Sequence, residues 1–375
     1  MGGGGGMTAT AERPLVVMAT DSKIPSGVGI HMLALARAIA CDHRVVVGFP
    51  PIGSGAHFLQ RADSAGLSVI PIESETVFGQ WLKGVRAGIL HVHAGIGWEG
   101  HGLAAVGRAA GVPVVRTEHL PYVLTDEAQR AEHRRGVETA DGVIFVSEFA
   151  ARSHRQAGVA CGRTTTILNG IEPPCPVLAR EETRRRLALP ADAPVVVTVA
   201  RFTAQKDYGL LLAASRQVLQ AVPQARFLLV GDGPERAARQ DMASQSGLGE
   251  AVLFLGERDD VPDLLAAADL FVLPSRFEGL PLAILEAMAL RLPVVATRIG
   301  GTCEAVGGDY PWLVEPGDAG ALAAAIIRAL ACEDERRRIG DRNRSRFEQY
   351  FRVERMGRET AAVYHCVAST KEQNL

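Results

Sequence analysis

The sequence has few aromatic residues and no excess of charge of either sign. Aromatic residues make up 5% of the 375 residues, and 40 lysines and arginines stand against 42 aspartates and glutamates. A protein that binds nucleic acid usually shows a basic face or aromatic side chains on which bases stack. The composition therefore argues against nucleic acid as the main partner.

Long apolar runs and closely paired cysteines are also lacking. No apolar stretch reaches the length that spans a bilayer. The six cysteines lack the spacing of a zinc site or a redox pair, so we expect free thiols. Because no charged-then-apolar leader is visible, we expect a cytoplasmic protein with a flexible start at 1–12. The basic stretches Arg130–Arg135 and Arg152–Arg155 leave peripheral contact with the inner membrane face as an option, although we favour a solvated surface for them.

The remaining sequence alternates short aliphatic segments with helical patterns. This alternation is typical of parallel sheets, and the length suggests two domains. A proline-rich stretch at 172–176 interrupts the pattern, and a second alternating series begins at Pro194. We therefore predict an α/β protein with two Rossmann-like domains that face each other across a cleft, at 13–173 and 174–351.

Two carboxylates surround the start of one predicted helix. Glu278 comes just before this helix and Glu286 lies within it, while Pro281 is predicted to open it because its missing N–H costs nothing there. The free amides of Gly279 and Leu280, together with the helix dipole, suit a phosphate. Carboxylates repel an anion and suit hydroxyl groups. The segment therefore suits a sugar joined to a diphosphate.

Two cations follow an apolar strand upstream of this segment. Arg201 and Lys206 come directly after the strand at 195–199. Ligands of open parallel sheets bind beyond the carboxyl ends of the strands, so these cations and Glu278 are expected to face one crevice. Another strand ends at Gly231, where the backbone can approach a ligand closely. A simple strand-to-helix turn remains an equally good interpretation of that glycine.

The order of these motifs resembles that of the family-four glycosyltransferases, which have the GT-B architecture. The resemblance covers most of the chain and is carried by GVGIH at 27–31, VVRTEH at 114–119, FVSEF at 145–149, ILNGIE at 167–172, Arg201, Lys206, GDGP at 231–234 and the two glutamates. It implies a GT-B fold whose final helix, within 352–375, packs back on the first domain. It also implies a retaining hexosyltransferase that uses a nucleoside diphosphate sugar, for which we favour UDP.

The resemblance assigns roles to the donor-site residues. Arg201 and Lys206 would bind the diphosphate and neutralise the charge that develops on it as it leaves. Glu286 would bind the ribose and Glu278 the donor sugar. The glycine loop of the first domain, with Gly27 and Gly29, would close over the diphosphate. Two departures, Ser26 before that loop and Glu172 in place of an aspartate, affect only the expected loop geometry and any acceptor contacts of Glu172.

One histidine is the candidate for the reacting centre, and three residues of the first domain are candidates for binding the acceptor. The resemblance places His119 beside the donor sugar, where a neutral imidazole can bind a hydroxyl or accept a proton. A purely structural histidine remains the alternative. For the acceptor we nominate His93, Tyr122 and Asn169, and Trp98 lies in the same group of loops. The sequence does not identify the acceptor, its pathway or the oligomeric state.

Neither a metal nor a cofactor is expected. No Asp-x-Asp triplet occurs, so protein cations would replace the metal, and the nucleotide sugar is a co-substrate. His91 and His93 lie two apart on one strand, but no nearby acidic residue follows at ligand spacing, so we disfavour a metal there.

Three other classes of protein remain as alternatives. A nicotinamide dehydrogenase fits poorly, because the loop with Gly27 and Gly29 lacks the third glycine of the dinucleotide motif. A two-lobed binding protein without catalysis, or a non-catalytic relative that acts as a partner subunit, stays open.

Overall fold

The structure, a computed structural model, describes residues 13–95, 99–159 and 162–372. The predicted flexible start at 1–12 and Trp98 lie outside the described residues. Within the described part the chain forms two parallel sheets, each covered by helices. This arrangement confirms the predicted α/β class with two Rossmann-like domains.

The N-terminal sheet has seven strands in the order β3-β2-β1-β4-β5-β6-β7. Its central strands are buried from end to end, because helices cover both faces of the sheet. The strands are β1 Leu15–Ala19, β2 Arg44–Phe49, β3 Ser68–Pro71, β4 Ile89–Ala94, β5 Val114–Glu118, β6 Gly142–Phe145 and β7 Thr164–Thr166. The helices are α1 Gly27–Ile39, α2 Ser54–Ser64, α3 Glu75–Gly84, α4 His101–Ala109, α5 Glu127–Glu138 and α6 Glu148–Gln156.

The C-terminal sheet has six strands in the order β10-β9-β8-β11-β12-β13. Its strands are β8 Val195–Val199, β9 Arg226–Val230, β10 Val252–Gly256, β11 Leu270–Leu273, β12 Val294–Thr297 and β13 Leu313–Val314. The helices are α7 Arg180–Arg186, α8 Tyr208–Ala221, α9 Arg236–Gln245, α10 Val261–Ala267, α11 Leu282–Ala289, α12 Gly300–Val306, α13 Ala319–Ala331, α14 Glu333–Tyr350 and α15 Val353–Glu372. Short 3₁₀ turns lie at Ala204–Lys206 and Gly249–Ala251.

The strand order of each sheet reverses at one point. In the first sheet β1 lies beside β4, and in the second β8 lies beside β11. A crevice opens at such a switch point beyond the carboxyl ends of the strands. The loops after β8 and β11 carry Arg201, Lys206 and Glu278, so the topology brings these three side chains to one crevice.

The last helix returns to the N-terminal domain. The chain crosses between the domains twice at neighbouring places, where Ile171 N–H donates to Phe351 O at 2.9 Å. Helix α15 then packs against α1, with Gly357 directly over Ala38. The hydroxyl of Tyr364 lies 2.6 Å from Nδ1 of the buried His91. Among the described helices, none is both long and apolar enough to cross a membrane.

Most predicted elements are present, with bounds that differ by a few residues. One difference touches the site. Helix α11 begins at Leu282, and Pro281 is its N-cap residue with extended backbone angles, so the prediction that Pro281 opens the helix is wrong by one position. The physical reason is the same, since neither position needs the N–H that proline lacks.

Candidate active site

An ion pair between Lys206 and Glu278 lies beyond the ends of β8 and β11. The ammonium group of Lys206 contacts Oε1 of Glu278, which is 4% exposed. The hydroxyl of Ser275 donates to the same oxygen at 2.7 Å, and Gln205 Nε2 donates to Oε2 at 3.3 Å. The carboxylate is therefore buried with a partner on each oxygen, it fixes the position of the lysine, and Oε2 can still accept a further hydrogen bond.

Arg201 is a second cation near this pair, close enough to interact with the charge of Glu278. Its guanidinium makes no hydrogen bond or ion pair with any residue that the structure describes. Burial lowers the pKa of Arg201, while the carboxylates of Glu99 and Glu278 act in the opposite direction. Arginine nevertheless stays charged in proteins. The crevice therefore holds a half-buried positive charge that is available to an anion.

Glu286 places a carboxyl group on the first turns of α11. No described residue donates a hydrogen bond to its side chain. Burial raises the pKa of Glu286 to about 7 although part of the residue remains exposed. Removal from water disfavours the charged form. A ligand that brings hydroxyl groups would supply the missing donors.

The loop before α11 is held between the two domains. A Cβ atom on Gly279 would lie 2.0 Å from the carbonyl oxygen of His119, so only glycine allows this approach. The carbonyl oxygen of the buried Leu280 accepts a hydrogen bond from Asn169 Nδ2 at 2.8 Å. The start of α11 is therefore fixed against the N-terminal domain at two points.

The glycines predicted to bind the donor have different surroundings. Gly27 is the first residue of α1, and a Cβ there would lie 3.9 Å from the side chain of Leu282 at the start of α11. A Cβ on Gly29 would instead come within 2.8 Å of Phe58. Gly231 has φ +133°, and a Cβ there would meet Ala200 O at 2.1 Å. Packing within the protein thus accounts for Gly29 and Gly231, whereas Gly27 faces the other domain.

Three histidines meet at the edge of the N-terminal sheet that faces the cleft. His93 Nδ1 lies 3.2 Å from His119 Nε2, and the ring centroids of His31 and His119 are 4.6 Å apart. Burial lowers the pKa of His31 to about 4 and places those of His93 and His119 well below the usual range. All three are therefore neutral imidazoles at neutral pH. The structure therefore brings His119 together with His93, and the sequence did not predict that His31 joins them.

His91 lies behind this group and is fully engaged. Its two ring nitrogens contact the Tyr364 hydroxyl at 2.6 Å and Thr117 Oγ1 at 2.7 Å. His91 is therefore a structural histidine, whereas His93 faces the cleft. The two do not act as the metal-binding pair that the sequence analysis considered and disfavoured.

The other two acceptor candidates, Tyr122 and Asn169, contact other groups of the protein. The ring of Tyr122 packs edge-on against His133 and His154, and its N–H donates to Ser153 Oγ at 2.9 Å. Asn169 binds the loop before α11, as described above.

An interdomain contact of Glu304 was not predicted. Its carboxylate, on α12, accepts hydrogen bonds from the backbone N–H groups of Glu148 at 2.8 Å and Phe149 at 3.1 Å. These are free N–H groups at the start of α6 in the other domain, where the helix dipole favours a negative charge. The segment FVSEF contains the start of α6, but nothing in the sequence indicates that this start has a partner on α12.

Comparison with known families identifies the class. Residues 25–173 match the family described as glycosyltransferase family 4, and residues 179–346 match the family described as glycosyl transferases group 1. The two matches adjoin and together span most of the chain. The protein belongs to the family-four glycosyltransferases and is an enzyme of the transferase class.

Individual relatives agree with this class. The chain is 29% identical over 291 residues to N-acetyl-alpha-D-glucosaminyl L-malate synthase of Bacillus anthracis, covering 74% of each chain. It is 28% identical to 2-deoxystreptamine N-acetyl-D-glucosaminyltransferase of Streptomyces fradiae, covering 83% of this chain and 84% of the relative.

A solved structure has the same GT-B fold. HepE of Anabaena in complex with UDP and glucose has a TM-score of 0.82 at 22% identity, covering 94% of this chain and all of the other.

Proposed function

We propose that the protein is a retaining hexosyltransferase that moves a sugar from a nucleoside diphosphate, with UDP the favoured nucleotide, to an acceptor hydroxyl. The observation that carries the proposal is the guanidinium of Arg201, which has no partner among the described residues and lies close enough to the Lys206–Glu278 pair to feel the charge of Glu278. A half-buried cation without a protein partner favours an anionic ligand.

Each group then has a chemical task. Arg201 and Lys206 neutralise the pyrophosphate, and the free N–H groups at the start of α11 add their dipole. Glu286 accepts hydrogen bonds from ribose hydroxyls, and Glu278 does so from the donor sugar. As the glycosidic bond breaks, negative charge grows on the leaving diphosphate, where fixed positive charges contribute most to rate. No metal is needed in this scheme.

The N-terminal domain completes the site on the other side of the cleft. Gly27 faces the start of α11 across the gap, and His119 is a neutral imidazole that can hydrogen-bond a sugar hydroxyl. We place the acceptor on this domain, near His93, Tyr122 and Asn169.

The comparisons support the donor class. Structural neighbours with this fold were solved with UDP and with UDP-glucose. Relatives named for lipopolysaccharide core and for 2-deoxystreptamine transfer support an acceptor in a cell-envelope or secondary-metabolite pathway.

A panel of nucleotide sugars tests the proposal. We expect a UDP-sugar to raise the melting temperature and to release UDP slowly by hydrolysis, with mass spectrometry of products made in cell extract naming the acceptor. Lys206→Met should abolish UDP release, whereas Lys83→Met, which changes an exposed lysine of the other domain, should not. Equal release by wild type and Lys206→Met would overturn the assignment, and failure of every nucleotide sugar to bind would favour another class of ligand.

A further inference from the structure

The histidine group His31, His93 and His119 has the geometry of a metal site. One nitrogen from each ring can be chosen so that all three lie within 4.8 Å of one another. The contact of 3.2 Å between His93 Nδ1 and His119 Nε2 is close to the separation of two nitrogens bound to one tetrahedral zinc ion, about 3.3 Å for Zn–N bonds of about 2.05 Å. To share an ion, the three rings would have to bring the third nitrogen, which lies within 4.8 Å of the other two, closer by rotation.

The chemical state of the rings also suits a metal. Metal ligands must be neutral imidazoles, and burial keeps the pKa of each ring low, so protons compete little at neutral pH. Within the described residues, the buried Nδ1 of His31 has no hydrogen-bond partner, so this nitrogen is not committed to another group of the protein. His119 is partly exposed, which leaves a path of entry from the cleft.

A second group of candidate ligands, Glu118, His133 and His154, is less suitable. Arg116 Nε lies 2.5 Å from Glu118 and already neutralises its charge. A guanidinium at that distance repels a divalent cation. The cleft-side group has no such cation among the groups that contact its rings in the described structure.

We propose that His31, His93 and His119 bind one zinc-class divalent ion, and that the bound ion blocks sugar transfer by occupying His119. Three imidazoles with a fourth position for water are a common zinc arrangement, whereas Mg²⁺ prefers oxygen ligands. Metal binding itself does not depend on the donor assignment. The inhibition rests on the proposed function, because it needs His119 at the reacting centre.

Titration of the untagged full chain with Co²⁺, a spectroscopic substitute for Zn²⁺, tests the binding without any sugar donor. We expect one Co²⁺ per chain with the visible absorption of a tetrahedral site, displaced by Zn²⁺. His93→Gln and His31→Gln should each weaken binding at least about tenfold. His154→Gln should leave the spectrum unchanged, and circular dichroism should show that each variant is folded.

Absence of the tetrahedral spectrum, or its persistence in folded His93→Gln and His31→Gln, would overturn the site. Loss of the spectrum in His154→Gln alone would place the ion in the other group. Once a donor that supports UDP release is known, Zn²⁺ should inhibit UDP release by wild type at the concentration that displaces Co²⁺. Mg²⁺ should not inhibit it. Full activity of the zinc-loaded protein would refute the blocking role.

Discussion

Lys206 and Glu278 form an ion pair in the crevice, although the proposal assigns them to different parts of the donor. The carboxylate sits at the end of β11 and the ammonium just after β8, so the switch point of the C-terminal sheet brings opposite charges into contact. The pair positions the lysine before a donor arrives. The contribution of Lys206 to the free energy of unfolding can therefore be measured separately from its contribution to catalysis.

Replacing Lys206 with methionine should reveal the energetic role. Glu278 would remain buried without its cation, so we expect the free energy of unfolding to fall by about 3 kcal/mol. The double variant Lys206→Met/Glu278→Gln removes both charges and should regain most of this stability in urea denaturation. It should remain inactive with every donor. Recovery of activity together with stability would mean that Lys206 only supports the fold.

The raised pKa of Glu286 predicts a pH-dependent stability. Its pKa is about 7 in the folded chain against an ordinary value of 4.5. The folded state binds this proton more tightly, so the contribution to stability is complete below about pH 4.5 and is lost as the pH rises through about 7. Relative to Glu286→Gln, wild type should therefore lose melting temperature between about pH 5 and about pH 8. Parallel curves for the two proteins would contradict the burial of this carboxyl group.

The same group should make donor binding depend on pH. Ribose hydroxyls donate to a carboxylate better than to a carboxylic acid, so the affinity of wild type for a UDP-sugar should rise as the pH increases through about 7. A UDP-sugar is the suitable probe because its diphosphate has no proton that titrates near neutral pH. Glu286→Gln should bind more weakly and without this rise. An identical rise in the variant would remove Glu286 from the nucleotide site.

Gly279 should be needed for domain closure. A methyl group there would collide with the carbonyl oxygen of His119, so Gly279→Ala should push the loop before α11 away from the N-terminal domain. We expect kcat/KM for the donor to fall at least about tenfold with little change in unfolding free energy. Gly308→Ala is the matched control, because a Cβ at Gly308 has nothing within 4 Å. Wild-type kinetics in Gly279→Ala would show that this contact does not matter for transfer.

Glu304 should stabilise the closed arrangement of the domains. Glu304→Ala removes the carboxylate that accepts the free N–H groups at the start of α6, a cap interaction of about 1 kcal/mol. The population of open molecules should rise, and small-angle X-ray scattering should give a larger radius of gyration. Glu315→Ala, at an exposed glutamate of the same domain, provides the control. Identical scattering from both variants would show that the contact does not hold the domains together.

The order of elements and the position of the two glutamates could be predicted from the sequence. Aliphatic strands such as β8, followed by polar loops, carry a local signal, and the structure confirms that Glu278 precedes α11 and Glu286 lies within it. The role of Gly231 was not decidable in this way. Both a bound ligand and the carbonyl of Ala200 exclude a Cβ, and only the fold shows that the protein's own backbone fills the space.

Contacts between distant segments account for what the sequence could not predict. His31 comes from α1, His93 lies near the end of β4 and His119 follows β5, so their meeting depends on strand order. The partners of Glu304 are backbone N–H groups. Every residue except proline has such a group, so the sequence does not show which residues Glu304 contacts.

The most direct test of the donor site is calorimetric titration of a UDP-sugar into wild type and Arg201→Ala. The account predicts that the variant binds at least about tenfold more weakly, because a charge-assisted contact to the pyrophosphate is lost. Arg328→Ala, at an exposed arginine on α13, should bind like wild type. Equal affinity of Arg201→Ala and wild type would contradict the claim that the unpaired guanidinium in the crevice holds the diphosphate.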